Sequence, residues 1–366
     1  MSTEAGAPPR IAAIAASIAE QAQRRLALRL AFGVSLAFTA AQAFGWSPSM
    51  LVPVFVIQLL VSVPHCPSLR AGLGVLVFIG VACGAALLVV YTLLPFPDLY
   101  IAVIAFLLFT GFLIDTRGRS PFFAFIFLVA VAVLPVIAVD SVGAASALAW
   151  AMTWAGAGAV VIVWIAHALF PAPVSAVRPE AHRPDPQPRD QQWQAGSAAR
   201  VALLKTLIVL PMVIVFLFYD LASALVVLVI TITIVRQQDV GQGYRSAFGM
   251  LLGNIIGGIA ATMAYGLLKA YPTLLFLFLL TVLIGLWFGG RIALGGSRAP
   301  LFVVGFTTMV ILLASGISPT GDEAAEAFYT RLINVYMATV YAVAMLSILF
   351  PQAAERSAPA HGPIRR

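Results

Sequence analysis

The sequence predicts an all-α integral membrane protein of about twelve transmembrane helices. It further predicts two six-helix repeats related by a pseudo-two-fold axis along the membrane normal. Three observations carry this. Of the 366 residues, 61% are hydrophobic and only 10% are charged, with a mean hydropathy of +1.01. A water-soluble domain must cover itself with more polar surface than that. The apolar runs are about 20 residues long, enough to cross roughly 30 Å of hydrocarbon at 1.5 Å rise per residue. The basic residues then fall almost entirely on alternate connections.

The spans read as 27–45, 49–64, 70–94, 98–115, 121–139 and 145–169, then 201–219, 221–236, 245–267, 272–291, 300–316 and 328–350. With the N-terminus inside, 19 of the 21 Lys and Arg residues lie on the cytosolic side, leaving Lys269 and Arg331 outside. This skew sets the orientation and places both termini in the cytosol. The net charge of +7 is thus a topology signal and calls for no nucleic-acid partner.

Residues 1–26 read as an amphipathic segment on the inner surface, with Ile11, Ile14 and Ile18 at helical spacing. A frayed terminus is the alternative. Glu20 and Gln23 interrupt it too early for a signal peptide. Residues 27–170 form the first membrane repeat and 200–351 the second. Between them, 171–199 is rich in proline and charge and reads as a disordered linker. Residues 352–366 read as a disordered tail.

The halves echo each other. Each opens on basic residues, Arg25 and Arg29 or Arg200 and Lys205. Each has a third helix headed by arginine, Arg70 or Arg245, and followed by glycine. Each starts its fourth helix at a proline, Pro97 or Pro272, and its fifth at Pro121 or Pro300. Each ends in Phe-Pro, at 170–171 and 350–351. Six spans per half is an even number, so both halves share one orientation and the axis runs along the membrane normal.

Few residues are placed to do chemistry. Cys66 and Cys83 and the four histidines have no metal-ligand spacing. No phosphate loop, nucleophile elbow or HExxH occurs. No catalytic residue, metal or cofactor is expected, and the chain does not read as an enzyme.

Gly249, Gly253 and Gly257 stand four apart, and Gly74 opens the matching helix. Small residues let helix backbones approach in lipid, so these four read as packing glycines. A path lined by glycine is the alternative. Asn254 lies near the middle of its span and reads either as an interhelical hydrogen bond or as a substrate contact. Lys205, close to Arg200, reads as snorkelling to the inner surface, with a place on the path as the alternative. Gln58 and Thr233 occupy corresponding helices and read first as packing, then as path residues. Asp220, at an outer turn, is either solvated or a proton-coupling carboxylate. Arg70 and Arg245 are either topology anchors or a pair of forks for a carboxylate at the cytosolic mouth.

"YRSAFGMLLGNIIGGI", "PLFVVGFTTMVILLASG" and "FYTRLINVYMATVYAVAMLSILFP" together resemble the fusaric-acid-resistance-protein-like (FUSC) family, which includes the aromatic acid exporters. The resemblance is stronger in the second half. It implies export of small, often aromatic, carboxylic acids across a bacterial inner membrane, with a periplasmic adaptor (membrane fusion) protein as partner. The plant aluminium-activated malate transporters resemble one such six-helix unit used as a dimer around an anion path. Longer members carry a sizeable cytosolic domain, for which only the short linker stands here.

The sequence therefore reads as an inner-membrane exporter of small organic anions, driven by the proton gradient. A passive anion channel and a non-transporting scaffold subunit remain open, as does a homo-oligomer. A major-facilitator transporter is disfavoured, because the loop after the second span, "SVPHCPSLR", lacks the Gly, Asp and Arg pattern typical of that family.

Overall fold

A computed structural model describes residues 9–63, 65–117, 121–171, 188–219, 225–236, 243–296, 298–317 and 323–349. Twelve α-helices are present among them: α1 Pro9–Ala43, α2 Leu51–Ser62, α3 Leu69–Leu93, α4 Pro97–Thr116, α5 Pro121–Asp140, α6 Val142–Leu169, α7 Pro188–Tyr219, α8 Leu225–Arg236, α9 Gly243–Ala270, α10 Leu274–Ala293, α11 Ala299–Gly316 and α12 Glu323–Leu349. Nine of these are long and apolar enough to cross a membrane. The other three, α2, α8 and α12, carry shorter apolar stretches. The chain is an all-α, multi-pass membrane protein.

Local chemistry sets many of the ends. Pro97 lies in the first turn of α4 and Pro300 in that of α11, where a missing N–H is harmless. Ser68, Ser141 and Thr273 accept from backbone N–H groups at the starts of α3, α6 and α10. The outer helices leave wide apolar stripes uncovered. On α3, Leu73, Val77, Val81 and Leu88 are each about 60% exposed (60%, 60%, 63% and 63%), a pattern that lipid stabilises and water does not.

Two boundaries depart from expectation. The amphipathic segment 1–26 is not separate from the first span: α1 runs unbroken from Pro9, because no Pro or Gly interrupts residues 10–32. Likewise the disordered linker does not extend to 199. α7 begins at Pro188, the last of the linker prolines and a residue suited to a first helical turn.

Four helices form the centre. α5 and α11 are the most enclosed spans, each 78% buried over its apolar window. Nine of the 12 residues of α2 are buried, as is most of α8. α2 contacts α5 and α11, and α8 contacts the same two, closing a ring. The remaining helices pack around it.

The neighbour relations come in pairs. α3 packs on α5 as α9 packs on α11; α2 packs on α6 as α8 packs on α12; α1 packs on α10 as α4 packs on α7. The last pair crosses between halves, so the first helix of each half is held by the fourth of the other.

These two crossings differ in chemistry. Where α1 meets α10 the seam is backbone against backbone. A Cβ on Gly285 would lie 2.8 Å from Ala31 Cα, and one on Gly289 would lie 2.8 Å from the Ala27 carbonyl oxygen. Beside it, Arg29 Nε donates to the Phe170 carbonyl at 2.7 Å and Arg25 donates to that of Pro171. These arginines hold the end of α6, satisfying carbonyls that the helix itself leaves unpaired. Where α4 meets α7, the contact is ionic.

Candidate functional site

The ring of α2, α5, α8 and α11 encloses a small cavity of about 30 Å³. All four helices line it, with Leu51, Val54 and Phe55 from α2, Phe125 and Val129 from α5, Val229 from α8 and Ile311 from α11. The lining is wholly apolar. Helical spacing puts a polar residue one turn further along on two of the lining stripes. Gln58 follows Val54 by four residues on α2, and Thr233 follows Val229 by four on α8.

At the end of the ring where α5 begins and α8 ends lies a buried ionic cluster. Asp115 comes from the last turn of α4, Lys205 from α7 and Arg236 from the last turn of α8. Arg236 Nε and Nη2 each lie 2.9 Å from Asp115 Oδ1. Lys205 Nζ is 3.6 Å from Asp115 Oδ2 and donates to the Arg236 carbonyl at 3.1 Å. Arg236 also donates to the Pro121 carbonyl at the start of α5. The three side chains are only 4%, 7% and 8% exposed for Lys205, Arg236 and Asp115.

Two cations thus approach one carboxylate away from solvent. Removing charges from water is expensive, and pairing offsets it only when hydrogen bonds are good. The arrangement is therefore a costly one to keep for stability alone. Arg236 also lies over the Phe125 ring, with Cζ 5.3 Å from its centroid, within cation–π range. Phe125 is also a wall of the central cavity, so this one ring separates the cluster from the apolar cavity.

The predicted residues distribute unevenly around this site. Lys205 does not snorkel to the surface; it is drawn inward by Asp115, a partner from the other half of the sequence. Gln58 is buried and shares the cavity stripe of α2. Asn254 lies elsewhere, fully buried on α9, donating from Nδ2 to Thr339 Oγ1 at 2.9 Å and accepting from Thr308. It ties α9 to α11 and α12, the interhelical alternative of its two readings. Interhelical hydrogen bonds in membranes average about 0.6 kcal/mol, so Asn254→Leu is expected to cost roughly 1–2 kcal/mol. Thermal unfolding of purified protein in detergent would check this, and an unchanged midpoint would remove the residue from the packing network.

The glycines divide. A Cβ on Gly253 would overlap the Leu301 carbonyl oxygen, and one on Gly257 that of Gly305. From the other side, a Cβ on Gly305 would sit 2.7 Å from the Gly253 oxygen. A Cβ on Gly249 would lie at ordinary contact distance, 3.9 Å, from Leu301 Cδ1. Those three form the seam of α9 on α11. Gly74 does not: a Cβ there would meet nothing within 4 Å, because it lies on the exposed side of α3.

Arg70 is exposed at the head of α3, which packs against α5 and α6 outside the central ring. Arg245 lies in the first turn of α9, and its side chain is outside the described residues. Asp220 also lies outside the described residues. The structure therefore brings Lys205 to Arg236 at the end of α8, with Thr233 three residues before Arg236 on the same helix and Gln58 on the cavity stripe of α2.

Asp115 and the role of Arg236 are the residues that sequence reasoning missed. Each ends an apolar run, where a charge reads as a loop anchor. The signal available was the sign: Asp115 is a carboxylate in the last turn of a span, just before a loop with two arginines, Arg117 and Arg119.

The fold and site define a multi-pass helical membrane protein with a buried charged cluster at one end of its central ring. Residues 26–166 match the model of a family described as a protein of unknown function, DUF2955. That stretch runs from the membrane part of α1 to the last turn of α6. No curated protein and no solved structure matches the chain.

Proposed function

We propose that the chain is a transporter of small organic anions, with Lys205 and Arg236 as the groups that receive a substrate carboxylate. The observation that carries this is the pair of buried cations sharing one carboxylate at one end of the central ring. Asp115 occupies the place that a substrate carboxylate would take. Both cations lie within 3.6 Å of the one carboxylate, a grouping of charge and donors suited to a carboxylate ligand. Arg236 offers a planar fork and Lys205 a point charge.

The wider reading is an exporter of small, often aromatic, carboxylic acids in a bacterial inner membrane, driven by the proton gradient. Its direction, its substrate class, its energy source and a periplasmic adaptor partner rest on the FUSC resemblance. Both termini are placed in the cytosol by the arginine skew, which makes the cluster the cytosolic mouth. Twelve spans in two six-helix units are supported by the paired neighbour relations. The family match supports them too, since it covers the first six helices and stops there. Under this arrangement the cavity lies on the pseudo-two-fold axis, closed in this conformation by apolar side chains.

The test is flux of radiolabelled weak organic acids through purified protein in liposomes. Lys205→Gln is expected to slow flux about tenfold, the usual scale of one charge-assisted contact. Arg70→Lys should leave it unchanged, since an anchor outside the ring needs only positive charge. Equal rates for wild type and Lys205→Gln, at matched amounts of folded protein, would remove the cluster from the path. Uncoupled, conductive flux would identify a channel. Complete absence of flux would favour a scaffold subunit.

A further inference from the structure

We infer that Gln58 is a specificity-determining residue, and that the anion it admits carries a second oxygen acceptor about one helical turn from its carboxylate. The inference rests on the transporter reading and names the substrate class for that site. Three observations support it. Gln58 is only 6% exposed, on a ring helix of which nine of 12 residues are buried. Its Nε2 is buried with no hydrogen-bond partner among the described residues. It stands one turn from Val54 and three residues from Phe55, both cavity walls.

An amide donor left unpaired in an apolar setting is unfavourable, and a ligand oxygen reaching it removes that penalty. The neighbouring polar group does not compete for the same role. Thr233, at the matching place on α8, already donates its hydroxyl to the Val229 carbonyl at 2.7 Å. Arg236 lies three residues beyond Thr233, a rise of about 4.5 Å along the helix. A short chain with its carboxylate on Arg236 and Lys205 would therefore place an oxygen about 5 Å away at the level of Gln58. The apolar remainder would lie toward Val54, Phe55 and Val129. A site with a buried donor discriminates strongly against an analogue that lacks the acceptor, because the donor is then left unpaired.

The probes are 4-oxopentanoate and pentanoate, which differ by one acceptor oxygen at the required separation. Initial flux of each, radiolabelled and below saturation, is measured in proteoliposomes. Wild type is expected to move 4-oxopentanoate roughly tenfold faster, the ratio that one satisfied hydrogen bond supplies. Gln58→Leu and Gln58→Met, which keep the volume and remove the amide, should bring the ratio to about one. Two variants are used so that one misfolding does not decide the matter. Wild-type preference for 4-oxopentanoate that persists in a folded variant would overturn the assignment, as would its absence in wild type. Flux of neither acid would overturn the transporter reading itself, whereas flux of both without preference would overturn Gln58 alone.

Discussion

Asp115→Ala is expected to lower stability by about 3–5 kcal/mol, the range for breaking a buried ion pair by removing one partner. The change deletes the carboxylate and leaves Lys205 and Arg236 facing each other out of water. The charge left behind dominates, and the lost attraction is secondary. The same reasoning predicts rescue. In Asp115→Ala with Lys205→Met, one of the two facing cations is gone, and part of the loss should return. Arg236 keeps its bond to the Pro121 carbonyl and its place over Phe125. Denaturation of purified protein in mixed micelles, run as a double-mutant cycle, measures both effects. Wild-type stability in Asp115→Ala would mean that the cluster is hydrated and the charges are not confined.

The second large effect concerns the seam of α9 on α11. Gly257→Ala adds a single carbon where the Gly305 carbonyl oxygen already stands. Backbone cannot move aside as a flexible side chain does, so the helices must separate. Overpacking of this kind costs about 1–3 kcal/mol, and the loss spreads along the seam to Gly253 and Leu301. Gly257→Leu should prevent accumulation of folded protein. Gly74→Ala is the matched control, since open space surrounds that position and alanine is the better helix former by about 1 kcal/mol. Fluorescence-detected size-exclusion and thermal midpoints separate the three variants. Equal midpoints for Gly257→Ala and Gly74→Ala would refute the seam.

That contrast shows what the sequence could reveal. Gly74 and Gly249 occupy equivalent places after their arginines, yet α3 turns Gly74 to the exposed side and α9 turns Gly249 toward α11. A spacing of four marks one face of a helix and leaves its partner unnamed. Gly253 and Gly257, within a longer series, lie on the packed face. Helix ends marked by proline were legible: α4 runs from Pro97 and α5 from Pro121, as the proline positions require. The starts of α1 and α7 were not, because a polar stretch without proline can be helical outside the membrane as well as within it.

The site was half legible. Gln58 and Lys205 stood out as polar groups in apolar runs. Asp115 did not, since its partner Arg236 is 121 residues away and in the other half. Only the crossing of α4 onto α7 brings them together, and no local pattern encodes it. Gly285 and Gly289 escaped notice for the same reason: their partners Ala27 and Ala31 lie on α1.

The shortness of α2 has an electrical consequence. It has 12 residues, a rise of about 18 Å, against roughly 30 Å of hydrocarbon. Along α2 the apolar barrier is therefore shorter than the bilayer around it. With aqueous access at both ends of the ring, the membrane voltage falls across those few turns instead of the full thickness. A single charge crossing the ring would then exchange nearly the whole of about 2.3 kcal/mol per 100 mV within one short step. Movement of an anion past Phe125 and Val129 would accordingly be the voltage-dependent event of the cycle.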